Sequence, residues 1–429
     1  MKRTTWIWLA LVGLAFVFTG HHLRLTAPDP HVLLMAHTYT TATEQAVLAD
    51  AIREFEAAHP GIKVRQVVMN SEVYQTVGWR LVMRARRPPD IFFLWRGYKT
   101  ALSIRRHQAL DMRPYLDPRR VAELLPTAIL REGDAVYHLP QSIDISNLVW
   151  YNRRLFEENG LTEPADLAAW LAECRKLRAA NILPLIQGNR DLWPLGNLAA
   201  EFLGQALPLP EVNRLFQPGT PVPPEAAAAL EPLAQLAREG AMDLPGLMNR
   251  GAVAGFGDID AKVFWLSGRA AQHIIGSWML ADIQDAEKRN ELKFPVGVFG
   301  VPAGTDQTNA MAAVVTGWMV HADTPNPRAA VDLVSLLVSR KYQERFAPLG
   351  GLSARLDADE FTHHPLARKA LRILRRTPVW VAPPDTAYTP AQARVFYEVA
   401  ARLAAGRMNA TEAVAFWNRE KQALARKGL

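Results

Sequence analysis

Between His31 and Trp95 the sequence alternates between strand-like and helical patterns, and this restricts the fold more than any other feature. HVLLMAH, residues 31–37, reads as a strand. Thr41-x-x-Glu44 has the spacing of a capping box, and Leu48, Ala51, Ile52 and Phe55 recur at helical period until Pro60-Gly61. Ile62 and Val64 alternate with Lys63 and Arg65 ahead of Val67-Val68-Met69, which reads as a second strand. Glu72 to Arg87 is helical again, and Pro88-Pro89 precede the apolar run Ile91-Phe92-Phe93-Leu94, a third strand. A β-α-β-α-β order folds as a parallel sheet with right-handed crossovers. The third strand ends in Trp95, Arg96 and Gly97, residues that a strand buried on both faces does not call for. In open α/β sheets ligands sit outside the carboxyl ends of the strands, so Trp95 and Arg96 are candidate ligand contacts.

The chain has 429 residues, which favours two domains or one large one. Its net charge of +7 is spread over separated arginine pairs such as Arg86-Arg87 and Arg375-Arg376, without a run of five like charges. A nucleic-acid groove is therefore not expected. Lys2-Arg3 precede an apolar run from Trp6 to Thr19, the pattern of an export signal and too short for a spanning helix. The expectation is a periplasmic or extracellular protein with residues 1–30 as signal or uncleaved anchor plus linker. Cys174 is the one cysteine, which excludes intrachain disulfides, CxxC sites and a lipid-bearing cysteine at the leader.

Thr162 to Gly240 reads as mostly helical, with breaks at Pro164, Pro184, Pro194 and from Pro208 to Pro224. AQHII (271–275) and PVGVFGV (295–301) read as strands. Asn326-Pro327 reads as a helix start with Asn as cap, and Thr389-Pro390 and Asn409-x-x-Glu412 begin two last helices. GxSxG, HExxH, GxxxxGK[ST] and a strand-linked GxGxxG are missing, and Gly251 to Gly257 has the wrong spacing for a phosphate loop. No cofactor or metal is expected, the adjacent His363-His364 being poorly disposed to converge on one ion.

Five blocks in order, AIREFEAAHPGIKV, PDIFFLW, AVYHLPQSIDISNLVWYNRRLFEENGL, FWLSGRAAQHIIGSWM and NPRAAVDLVSLLVSRKYQERFAPLGGLSAR, resemble the extracellular solute-binding proteins of ABC importers. The resemblance is to the family that includes the maltose- and glycerol-phosphate-binding proteins, and it runs from about His31 to the C-terminus. Gln272 stands where the family usually has Met, and the lipobox of many members is missing. The resemblance implies a two-lobed periplasmic-binding-protein type II fold, α/β in class, with a ligand cleft between lobes joined by hinge crossings. Lobe one would comprise 31–141 and 300–352, lobe two 142–299 and 353–429, with crossings near Leu139-Pro140-Gln141, Phe299-Gly300 and Gly351.

A sugar offers hydroxyls at its rim and C–H patches on its faces, so its site needs aromatic platforms and planar polar groups. The resemblance points to Trp278 in Gly276-Ser277-Trp278 as a platform of lobe two, with two small residues letting a sugar approach the backbone. It points also to Asp144 just past the hinge, and to Asn189, Asp191 and Trp193. His37 and Tyr39 after the first strand, Trp318 in TGWMV and Arg355 after GGLSA are further strand-end or loop candidates. Tyr151 and Asn152 read as structural, Asn152 capping the next helix. The function expected is a non-enzymatic, monomeric carbohydrate receptor that closes on its ligand and delivers it to ABC permease subunits. Two alternatives stay open: the same fold binding an anionic phosphorylated polyol through Arg96, Arg190 and Arg355, and an exported carbohydrate-active hydrolase using two carboxyl groups.

Overall fold

A computed structural model describes residues 29–217, 219–242, 255–303 and 310–427. The leader and part of the Gly251–Gly257 stretch lie outside the described residues. In chain order the strands are β1 Val32–His37, β2 Lys63–Val68, β3 Ile91–Trp95, β4 Leu130–Glu132, β5 Ala135–Ile145 and β6 Leu148–Asn152. They continue with β7 Leu183–Ile186, β8 Ala270–Ile275, β9 Val296–Gly300, β10 Ala310–Val320, β11 Leu352–Ser353 and β12 Val379–Val381.

These strands form two sheets. The first runs β11-β5-β10-β3-β1-β2, with β12 on β10 and β4 on β5; the second runs β7-β8-β6-β9. β1 pairs in parallel with both β2 and β3, the arrangement expected for the β-α-β-α-β segment. Thr41 and Glu44 close a reciprocal capping box on the helix Ala42–Ala58, which buries Val47, Leu48, Ala51, Ile52 and Phe55. Capping boxes also start Pro390–Ala404 and Ala410–Arg426. Asn152 Oδ1 accepts the Leu155 N–H at 3.2 Å and caps Arg153–Glu158.

Two expectations need correction. Pro184 does not break a helix but lies inside β7, an edge strand whose Leu183, Leu185 and Ile186 pair with Ala270, Gln272 and His273 of β8. An edge strand tolerates a residue without an N–H. Asn326 precedes Pro327 at the helix start as expected, but its side chain donates to Pro30 O instead of capping.

β5 and β10 are eleven residues long and antiparallel, and together they join the lobes. Val136 and Leu139 of β5 and Trp318 and Val320 of β10 sit in one core with Leu33, Met35 and Phe93. Ile143 and Ile145 of β5 and Met311, Ala313 and Val315 of β10 sit in another with Trp150, Leu198 and Trp265. Between these halves the ladder slips: Thr316 pairs with Ser142 but Gly317 with Pro140, leaving Gln141 as an extra residue. Such a bulge bends a strand. A Cβ on Gly317 would lie 2.1 Å from Leu139 O, so only glycine fits. The chain passes from the first sheet to the second through Ser146-Asn147 and is back in the first sheet from Ala310.

Candidate functional site

In the first lobe an aromatic column climbs from the core to the end of β3. Phe346 meets Tyr39 at 5.4 Å between ring centroids, Tyr39 meets Phe93 at 5.6 Å, and Phe93 meets Trp95 edge-on at 5.4 Å. Phe93 and Trp95 share a face because strand side chains alternate. Trp95 is half-buried at the head of this column. Arg96 follows, its N–H donating to Val315 O at 2.8 Å and its Nη1 to Thr127 O at 2.7 Å. Gly97 packs so closely on the other lobe that a Cβ there would lie 2.3 Å from Thr386 O.

In the second lobe Trp193 and Trp278 face each other with ring centroids 5.9 Å apart. Leu192, in the strained γ-turn region at φ 67°, ψ −39°, turns the chain from the Asn189–Asp191 turn into the helix Trp193–Ala206. Trp278 follows β8 and precedes the helix Met279–Lys288. A Cβ on Gly276 would fall 2.1 Å from the Trp278 ring, so the glycine makes room for the tryptophan.

Asp144 lies on β5, accepting a hydrogen bond from Ser142 Oγ at 3.1 Å. Burial pushes its carboxyl up to about 7. Asn189 is buried, its Nδ2 directed at the Met242 sulfur and its Oδ1 without a protein partner. Asp191 is exposed and accepts the Asp258 N–H at 2.7 Å.

Three candidates are placed where no ligand reaches a free polar atom. His37 is fully buried, with Nε2 2.8 Å from Gln66 Oε1 and Nδ1 accepting the Tyr39 N–H, and burial pulls its pKa down to about 4. Trp318 is also fully buried and donates to Gln141 Oε1 at 2.9 Å. Arg355 is 5% exposed and held by Asp357 and Glu123. Arg190, at the surface of the second lobe, is likewise paired with Asp260 at 2.9 Å.

Other groups missing from the sequence reading face one another across the lobes. Desolvation, and then Asp385, Asp191 and Asp258 of the second lobe, raise the Glu72 carboxyl of the first. Burial lowers Lys99 to about 8, Asp385 opposing and Arg80 assisting, while its Nζ donates to Gln75 Oε1 at 2.8 Å. Burial lifts Asp385 and pushes Asp258 up to about 6. In sequence these residues look like ordinary solvated charges.

Two sheets joined by the through-running strands β5 and β10 make a two-lobed α/β fold. Residues 37–344 match the profile of the bacterial extracellular solute-binding proteins, and the chain belongs to that family. It is the extracellular solute-binding component of an ABC transporter. It is 21% identical over 346 residues to an uncharacterised ABC transporter extracellular-binding protein of Pyrococcus horikoshii, covering 79% of this chain and 75% of the relative. Among solved structures it resembles a chitin oligosaccharide binding protein, with a TM-score of 0.74, 20% identity and coverage of 92% of this chain and 100% of that one. It also resembles the GacH receptor of Streptomyces glaucescens, solved unliganded and with acarbose, with a TM-score of 0.69, 18% identity and coverage of 92% and 98%. Among the described residues no helix is long and apolar enough to cross a membrane.

Proposed function

We infer that the cleft takes an uncharged carbohydrate and closes on it by bending near the Gln141 bulge, after which the closed form is delivered to the permease. On this reading Trp95 and Tyr39 form the wall of lobe one, Trp193 and Trp278 that of lobe two, and Asp144, Asn189 and Asp191 accept or donate to hydroxyls. Lobe one is taken as 31–141 with 300–352 and lobe two as 142–299 with 353–429. Closure then follows from ligand contacts that exist on both sides only when the lobes are shut.

The observation that carries this reading is the Trp193–Trp278 pair. Of the three arginines weighed for an anionic ligand, Arg355 and Arg190 are paired with carboxylates, while Arg96 keeps its charge and gives one N–H to Thr127 O. The relatives whose names mention chitin oligosaccharides and acarbose support a sugar without specifying which. The family is a class of binding proteins, so stoichiometric capture without turnover is expected.

A thermal-shift screen of the mature protein against neutral oligosaccharides and phosphorylated polyols tests the reading. A neutral sugar at 100 times its Kd adds about 2.7 kcal/mol of stability and raises Tm. Stabilisation by phosphorylated polyols alone would sink the neutral-sugar assignment, and product formation from the stabilising sugar would establish a hydrolase.

A further inference from the structure

The helix Trp193–Ala206 is buried from Pro194 to Gln205, yet Asn197, Glu201 and Gln205 interrupt its apolar surface at four-residue spacing. That spacing puts all three on one face. A buried polar group left without a partner costs about 1–3 kcal/mol, so their partners say what they do.

Glu201 Oε2 accepts from Asn147 Nδ2 at 2.8 Å and from the Ala312 N–H at 3.0 Å. One turn on, Gln205 Nε2 donates to Val301 O at 3.3 Å. Asn147 belongs to the two-residue link from β5 to β6, whereas Val301 and Ala312 bracket the return from β9 to β10. Ser146 N–H donates to Ala312 O at 2.7 Å, so the two crossings also hold each other. One helix, beginning at the cleft with Trp193, thus grips both strand connections between the lobes.

We propose that Glu201 is a positioning residue of the hinge, fastening both interlobe crossings to this helix while its carboxyl carries a proton and loosening them when the proton leaves. A neutral carboxyl accepts both donors without placing a charge in an apolar seam. An ionised one leaves a buried charge that no described cationic side chain pairs with, which is strongly unfavourable and is relieved by opening the seam to water. Burial pushes Glu201 up to about 8 against the bonds from Ala312 and Asn147. Strands β10 and β12 bring no titratable side chain to it.

On the helices packed around it, Arg394 pairs with Glu398, Arg402 stacks on Phe416 and Arg238 pairs with Glu231. Glu211 and Arg214 are exposed, and Asp385 meets Tyr397, whose hydroxyl reaches Asn197. Asp144 of β5 is bonded to Ser142. The folded pKa exceeds the unfolded value of 4.5. The contribution to stability is therefore complete below the unfolded pKa, declines as pH rises to about 8 and is level above it.

The test uses the ligand-free full chain with spin labels at Arg84→Cys and Ile259→Cys, exposed positions on opposite lobes, while Cys174 is buried. Interlobe distances are measured by electron–electron double resonance from pH 6.5 to 9.5. The expected result is a shift to longer distances with a midpoint near pH 8. Glu201→Gln, which keeps the acceptor and removes the titration, holds the short distances throughout. Asn147→Ala, which removes one donor to the ionised form, moves the midpoint up. A distribution independent of pH, a Glu201→Gln midpoint equal to the parent's, or an Asn147→Ala midpoint that stays put would each overturn the proposal. No ligand enters the measurement, so its failure leaves the carbohydrate reading intact.

Discussion

The aromatic groups proposed as the two walls of the cleft use tryptophan in different ways. Trp95 caps a column of rings that descends through Phe93 and Tyr39 to Phe346, and Trp318 braces the column from the side at 5.1 Å from Phe93. Trp193 and Trp278 instead lean on each other, one on a strained turn and the other over a glycine. The first wall is an outgrowth of a core. The second is a pair of side chains held by local backbone geometry. Removing a buried ring from beneath the first should therefore cost folding, and removing a ring from the second should cost binding.

The largest effect expected is that of Trp318→Ala. This side chain is fully buried and donates to Gln141 at the bulge, so its loss should lower ligand-free stability by about 3–5 kcal/mol, read from urea unfolding. A loss under about 1 kcal/mol would mean that the column is not a core element and would erase the contrast between the walls. Trp278→Ala comes next, with a loss of about 2 kcal/mol in binding, close to thirtyfold in Kd, by titration calorimetry with the sugar found in the screen. Its ligand-free stability should stay near the parent's. If instead it unfolds readily yet binds normally once corrected for its folded fraction, the second wall is core as well.

The same contrast separates what the sequence makes legible from what it hides. The segment 31–95 could be read because each strand is bounded by a helix with its own cap or proline stop, and local signals agree with the tertiary result. β10, with the sequence AMAAVVTGWMV, is buried at all eleven positions and rich in alanine, so it has no alternation to detect. β5 hides its extent behind Pro140, which sits beside the bulge. The position of Trp95 at the end of β3 is legible because a strand end is a local feature. Trp318 lies two residues from Thr316 on the same strand, and whether that face meets core or cleft depends on the neighbouring strands. Glu72, Lys99 and Asp385 draw their shifted proton affinities from the opposite lobe, which sequence spacing does not encode.

Asp144 on β5 gives the smallest and most discriminating test. Its carboxyl, pushed up to about 7 by burial, is above its unfolded value of 3.8, and Ser142 only partly offsets this. From pH 4 to 7 the unfolded chain gives up this proton before the folded one does, so the residue's contribution to stability falls as pH rises and levels off above about 7. Asp144→Asn keeps the shape and removes the titration. Ligand-free, the variant should match the parent near pH 4 and exceed it by about 1 kcal/mol at pH 8, the size of less than one pKa unit after solvent screening of a partly exposed group. Sugar affinity should nevertheless drop at pH 8, where the parent offers an ionised acceptor to a hydroxyl and charge-assisted bonds are the stronger ones. A gain in stability with unchanged affinity would assign Asp144 to the strand connection alone and leave the two aromatic walls to hold the ligand without it.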